Sequence, residues 1–183
     1  MNRRSFIGGS LGLCAGAALP IALDWSAYAG DHLDMVLGSG VVTIALNPEA
    51  APNHVNRVKS LVRAKFYDGM PFARVVDGFM AQTGDPRSDT GVDLASLPKL
   101  NAEFNQLPFE RGTVGMARSR NPNSASHQFF ITVADAAFLD QRYTAFGKVT
   151  SGMELIDQLR KGVPDTGAVA NPDLIGSVRL RAA

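Results

Sequence analysis

The sequence predicts a mainly β domain, a closed or nearly closed barrel with two α-helices. Three observations predict it. Short runs with alternating apolar residues recur along the chain, bounded by Gly, Asp and Asn. Only two stretches carry apolar residues at helical spacing. No internal repeat marks a second domain, and many strands with few helices favour a barrel.

The elements follow in order. "MNRRSFIGGSLGLCAGAALPIAL" opens with Arg3 and Arg4, followed by an apolar run from about Leu11 to Leu23. The run is too short and glycine-rich to span a bilayer comfortably. "RRSFI" resembles the twin-arginine export motif, and Ala27–Ala29 ("AYA") is a small-residue cleavage pattern. Residues 1–29 are therefore expected to be an export signal and 30–183 one domain, delivered to the periplasm. An ordinary secretion signal, in which the arginines only supply charge, leads to the same compartment. Next, "LDMVLGSGVVTIALN" reads as a hairpin around Gly38-Ser39-Gly40. Val55, Val58, Leu61 and Val62 define a first helix, with Pro52 near its start and Gly69 beyond its end. "MPFARVVDGFMAQTGD" reads as two strands broken at Asp77-Gly78. Residues 85–110, rich in Pro, Asp and Asn, read as an excursion with little regular structure. "GTVGMA", "HQFFITV" and "RYTAFGKV" are further strands. Met153, Ile156 and Leu159 predict a second helix running to Gly162, and "LIGSVRLR" a final strand.

Charge and composition exclude several functions. Two of the 18 basic and one of the 17 acidic residues lie in 1–29, so the domain is left with sixteen of each. Nothing here attracts nucleic acid or an anionic membrane. Cys14, the single cysteine, lies in the signal, so the domain has neither disulfide nor thiol chemistry. The histidines at 32, 54 and 127 have no ligand spacing, which disfavours a zinc site. No serine sits in a nucleophile elbow and "GSG" is a turn, not a phosphate loop. Asp85 and Asp89 read as turn formers in a polar loop. No nucleophile, metal or cofactor is expected.

What remains could hold a peptide. In "NSASHQFFIT" a strand would place Phe129 and Ile131 on a core face and Gln128, Phe130 and Thr132 on the other. Met80 and Gln82 repeat that pairing of an apolar group with an amide, and Arg74 lies one short strand earlier. His127 is expected to be exposed, because its neighbour Gln128 faces the groove. Taken singly, most of these residues would be ordinary core or surface groups.

Together they carry a resemblance. "FARVVDGFMAQTGD", "GTVGMARSRNPNSASHQFFIT" and "FLDQRYTAFGKV" resemble, in order and spacing, the three signature stretches of the cyclophilins, the peptidyl-prolyl cis–trans isomerases. The similarity extends over residues 31–181. It implies a closed eight-stranded antiparallel β-barrel capped by two α-helices. It places Arg74 on the family's catalytic arginine, and Phe79, Met80, Phe130 and Leu139 on the apolar pocket that receives the proline ring. Gln82 and Gln128 fall on amides that hold substrate backbone, with Ala117, Arg118 and Ser119 on the neighbouring rim. Phe138 stands where many eukaryotic members carry tryptophan, and Tyr143 where many carry histidine. Arg118 replaces a frequent asparagine. Only Gly91 carries over from the excursion.

The resemblance implies a monomeric enzyme acting on proline-containing peptides and unfolded proteins beyond the inner membrane. Two other classes use the same residues differently. A chaperone module would hold proline segments in the groove with little turnover. A small-ligand barrel would need an apolar interior cavity, whereas the sequence offers bulky residues for both sides of the wall.

Overall fold

The computed structural model describes residues 31–85 and 94–181. The expected signal, its cleavage site and Gly91 lie outside the described residues. β1 (His32–Leu37) and β2 (Gly40–Leu46) form the expected hairpin, paired antiparallel about Gly38-Ser39. α1 (Pro52–Arg63) buries Val55, Val58, Leu61 and Val62, the apolar stripe of its sequence, together with His54. β3 (Arg74–Val76) and β4 (Met80–Thr83) flank a turn in which Gly78 takes φ +66°, a left-handed conformation that glycine adopts without strain. β5 (Thr113–Met116), β6 (Phe129–Thr132), β7 (Ala145–Ser151) and β8 (Ile175–Leu180) complete the strands.

All eight strands belong to one antiparallel sheet, ordered β3-β4-β6-β5-β7-β2-β1-β8, curled into an open half-barrel. No ladder joins the edge strands β3 and β8, so the closed barrel expected from the sequence is not what the strand pairing gives. Both edges are nevertheless covered, as exposed sheet edges generally must be. Val75 N donates to Gly167 O, Gly162 N to Val75 O and Val169 N to Ala73 O along β3. On the far side, Gly69 N donates to Ile175 O, Phe72 N to Asp173 O and Ile175 N to Met70 O.

The second helix is shorter than its apolar spacing predicts. α2 covers only Met153–Asp157. Ile156 and Leu159 are both buried as expected. Past Asp157, however, the backbone tightens, with Leu159 N donating to Ile156 O, and Arg160 N turns to the Asp173 carboxylate at 2.8 Å. Capturing a tertiary acceptor replaces the last helical turn.

Alternation along the strands sorts the interior into two clusters. Phe129 and Ile131 of β6 join Ala81 of β4 and Val114 of β5 in the main core. Phe130 and Met80 point to the opposite face, where Leu107, Phe109, Ala136, Leu139 and Ala145 form a smaller cluster. That second face answers why an aromatic follows an amide in "HQFF". It is also buried, and it floors a groove.

The excursion is irregular but pinned. Ala51 gives α1 no side-chain cap. Glu103, from the excursion, takes the Asn53 and His54 backbone N–H groups at 3.0 Å each, and lies 2.6 Å from His54 Nδ1. Burial pushes the Glu103 carboxyl up, but the hydrogen bonds from His54 and Asn53 outweigh it and hold its pKa below the usual range. Asn105 Nδ2 reaches the carbonyls of Ala50 and Ala145, at 3.2 and 2.8 Å.

Candidate active site

One cross-strand row builds the groove. Arg74 of β3 lies opposite Gln82 of β4, Gln82 opposite Phe130 of β6, Phe130 opposite Gly115 of β5, and Gly115 opposite Ala145 of β7. Directly opposed residues share a face of the sheet. The row therefore runs from a cation through an amide to an aromatic, and ends on two small residues. The small residues admit a second layer: the Phe109 ring stacks on Phe130 with centroids 5.7 Å apart and planes 19° from parallel. A Cβ at Gly115 would lie 2.5 Å from Phe109 Cε1 and 2.6 Å from Phe130 Cζ, so only glycine fits.

All twelve residues singled out from the sequence line a single groove of about 610 Å³. Met80, Phe130 and Leu139 are buried in its floor. Tyr143 stands edge-on to Phe130, at 5.7 Å and 86°. Phe79 and Phe138 pack ring to ring at 5.3 Å and form a lip, with Phe138 61% exposed. On the polar side Gln82 Nε2 donates to Gln128 Oε1 at 2.8 Å. Arg74 is exposed; its Nε donates to Thr166 O at 2.8 Å and its Nη1 reaches Gln82 Oε1 at 3.5 Å. The segment around Gly167, which covers β3, thus also steers the guanidinium.

The opposite wall is made of loops. Ala117 N donates to Gln128 O at 2.9 Å, anchoring the rim to the start of β6. Ser119 bonds Ser124 through both its backbone N–H and its hydroxyl. Arg118 donates to Arg142 O through Nε and Nη2 and to Ser119 O through Nη1, and its Cζ lies 4.2 Å over the Tyr143 ring.

A family model, cyclophilin type peptidyl-prolyl cis-trans isomerase/CLD, matches residues 32–180. The chain belongs to this family. It is a cyclophilin, and an isomerase of X–Pro peptide bonds. A probable peptidyl-prolyl cis-trans isomerase of Brucella suis is 46% identical over 97% of this chain and 98% of its own length. Peptidyl-prolyl cis-trans isomerase A of Dickeya dadantii is 40% identical over 74% of each chain. Among solved structures, a cyclophilin from Hirschia baltica superposes with a TM-score of 0.74 at 27% identity, covering 82% of this chain and 74% of its own. A Cryptosporidium parvum cyclophilin-type isomerase, crystallised in the presence of the dipeptide Ala-Pro, shares the fold with a TM-score of 0.73 at 22% identity. It covers 84% of this chain and all of its own.

The cyclophilin groove has four further lining residues that the sequence did not assign to it: Lys99, Ser124, Ser126 and His127. Ser126 lies three residues before β6, outside the reach of strand alternation, and so gave no periodic signal. Lys99 had no local signal, because long-range bonds alone bring it there. His127 corrects an expectation. It is buried, 7% exposed, not solvated. β6 begins at Phe129, so strand alternation does not reach back to it, and its ring packs edge-on to Phe66 at 5.8 Å. Burial lowers its pKa, the Lys99 and Arg57 charges lower it further, and Asp85 opposes them.

Proposed function

We propose that Arg74 stabilises the twisted transition state of X–Pro rotation in proline-containing segments of folding polypeptides, without a covalent intermediate. Amide resonance sets a barrier of about 18–20 kcal/mol. As the bond twists, the proline nitrogen becomes pyramidal and gains a usable lone pair. A guanidinium aimed at that nitrogen binds the twisted form better than either planar form, which is what lowers a barrier. Arginine suits the task because it stays charged and donates from a rigid fork. In this reading Phe79, Met80, Phe130 and Leu139 grip the proline ring, with Phe138 and Tyr143 beside them. Gln82, Gln128 and the Ala117–Ser119 rim hold the flanking backbone, so one side turns against the other. No proton moves.

The observation that carries the reading is the row itself. It sets an exposed guanidinium, with no carboxylate partner among the described residues, one amide away from an aromatic pocket floor. The test is isomerisation of an X–Pro peptide by Arg74→Ala. A charge-assisted hydrogen bond is worth about 1.5–3 kcal/mol, so kcat/KM should fall about tenfold to somewhat over a hundredfold. Peptide binding should weaken less, since the lost contact belongs to the transition state. A folded Arg74→Ala protein that isomerises at the unmodified rate sinks the assignment and leaves a holding module in its place.

Two finer readings belong to the same proposal. The bonds from residues 69–72 onto the start of β8 support a barrel closed along that seam. The "RRSFI" and "AYA" stretches support export to the periplasm of a mature domain beginning at Gly30.

A further inference from the structure

We propose that Lys99, Ser126 and His127 form a carboxylate subsite at one end of the groove, so that the enzyme favours X–Pro segments with an acidic side chain near the proline. The inference rests on the groove being where X–Pro segments bind.

The first ground is charge. Arg74, Lys99 and Arg118 line the groove, and among the described residues no Asp or Glu lines it. Away from it, six of the twelve other described Lys and Arg residues, Lys59, Arg111, Lys148, Arg160, Arg179 and Arg181, lie within 4 Å of a carboxylate. The whole chain carries a formal charge of only +1, so the imbalance is local. A cleft lined by one sign of charge concentrates ligands of the other.

The second ground is construction. Arg57 Nη1 donates to Pro98 O at 2.9 Å and to Ser126 O at 3.1 Å, stapling the segment before Lys99 to the segment before Gln128. Leu100 N adds a bond to Ala125 O at 2.8 Å. Lys99 therefore projects from a braced backbone, its Nζ 3.5 Å from Ser126 Oγ.

The third ground is the chain of contacts that positions Lys99. His127 Nδ1 lies 2.6 Å from Ser126 Oγ, while its buried Nε2 has no hydrogen-bond partner. Lys99 donates to Ser126 Oγ, which leaves the hydroxyl proton for Nδ1. A neutral ring then carries its own proton on Nε2. A carboxylate arriving here meets the Lys99 ammonium, while His127 holds from behind the Ser126 hydroxyl on which that ammonium rests. Asp85 is exposed, and its charge also reaches His127.

The test is kcat/KM on one X–Pro peptide with Gln, Glu or Lys placed in turn at each position up to about three residues from the proline. At low ionic strength one position should rank Glu above Gln above Lys. Each step should be about two- to fivefold, the range of an exposed ion pair. The ranking should shrink at about 0.5 M salt. Lys99→Gln should abolish the ranking, read as the ratio of the Glu to the Gln peptide within that variant. No Glu preference at any position overturns the subsite, and so does a preference that survives Lys99→Gln. Failure of the unmodified protein to turn over even the Gln peptide would instead sink the groove reading beneath it.

Discussion

Gly115→Ala tests whether the two-layer floor under the groove is real. The residue lies within a β-strand, so alanine is compatible with the backbone and the cost is purely steric. Its Cβ would sit 2.5 and 2.6 Å from the Phe109 and Phe130 rings. Carbon atoms pack best about 3.5–4.0 Å apart, so each ring must withdraw by about 1 Å. Phe109 is fully buried among Leu107, Ala136 and Ala145 and has little room to retreat. Phe130 faces the groove and yields into it. Overpacking of this kind costs about 1–3 kcal/mol, which for a domain of this size lowers Tm by about 2–12 °C. The displaced ring narrows the pocket, so kcat/KM on an X–Pro peptide should fall as well. Thermal unfolding and a peptide isomerisation assay read the two effects separately. Phe109→Leu, added to Gly115→Ala, removes the far edge of the ring and should restore part of both. An alanine variant with unchanged Tm and kcat/KM would refute the close approach. A variant that Phe109→Leu does not relieve would refute its cause.

Glu103→Gln should destabilise the fold by about 1.5–3 kcal/mol near neutral pH, since a mostly buried carboxylate loses charge-assisted bonds. Because Glu103 has a depressed pKa in the fold, its contribution is full above the unfolded value, near pH 4.3. It is lost as pH falls through the folded value, so the variant's stability should fall less steeply with acid than the unmodified protein's. Phe138→Trp should strengthen cyclosporin binding about tenfold or less, because an indole N–H adds one hydrogen bond worth about 1 kcal/mol to a lip that is now only apolar. Tight binding by the unmodified protein would show that other rim contacts dominate. Changing Arg3 and Arg4 together to lysine should block export, read by fractionation and N-terminal sequencing of any processed form. Normal processing would favour the general secretion route.

Where local pattern decides the structure, the sequence was legible. The hairpin at Gly38-Ser39, the α1 stripe and the Asp77-Gly78 turn each follow from residue spacing and are found as expected. The two faces of β6 follow from period two alone, although the outer face turned out to be a second buried cluster. What escaped was fixed by partners distant in sequence. The end of α2 is decided by Asp173, and the α1 N-terminus is capped by Glu103, about fifty residues downstream. His127 reads as exposed only if strand alternation is extended two residues before the start of β6. Lys99 entered the groove through Arg57 and Leu100, neither of which advertises that role in the sequence.

The two walls of the groove differ in how they are held, and the difference explains which residues can be read from a motif. Arg74, Gln82, Phe130 and Gly115 stand on adjacent strands, and the ladder fixes their spacing whatever their side chains do. Arg118, Ser119 and Tyr143 stand on loops, and Phe138 and Leu139 on a single 3-10 turn, so side chains must fix them instead. Arg118 does much of this. Its guanidinium ties Arg142 O to Ser119 O and lies on the Tyr143 ring, which in turn meets Phe130 edge-on. The resemblance places Arg118 on the rim without giving its side chain a task. The structure gives that side chain one: it joins two loops whose separation sets the width of the pocket. An asparagine there is too short to span both carbonyls and cover the ring. In this chain Arg118 and Tyr143 work as a pair, because the ring offers the guanidinium a flat face and the guanidinium covers the ring.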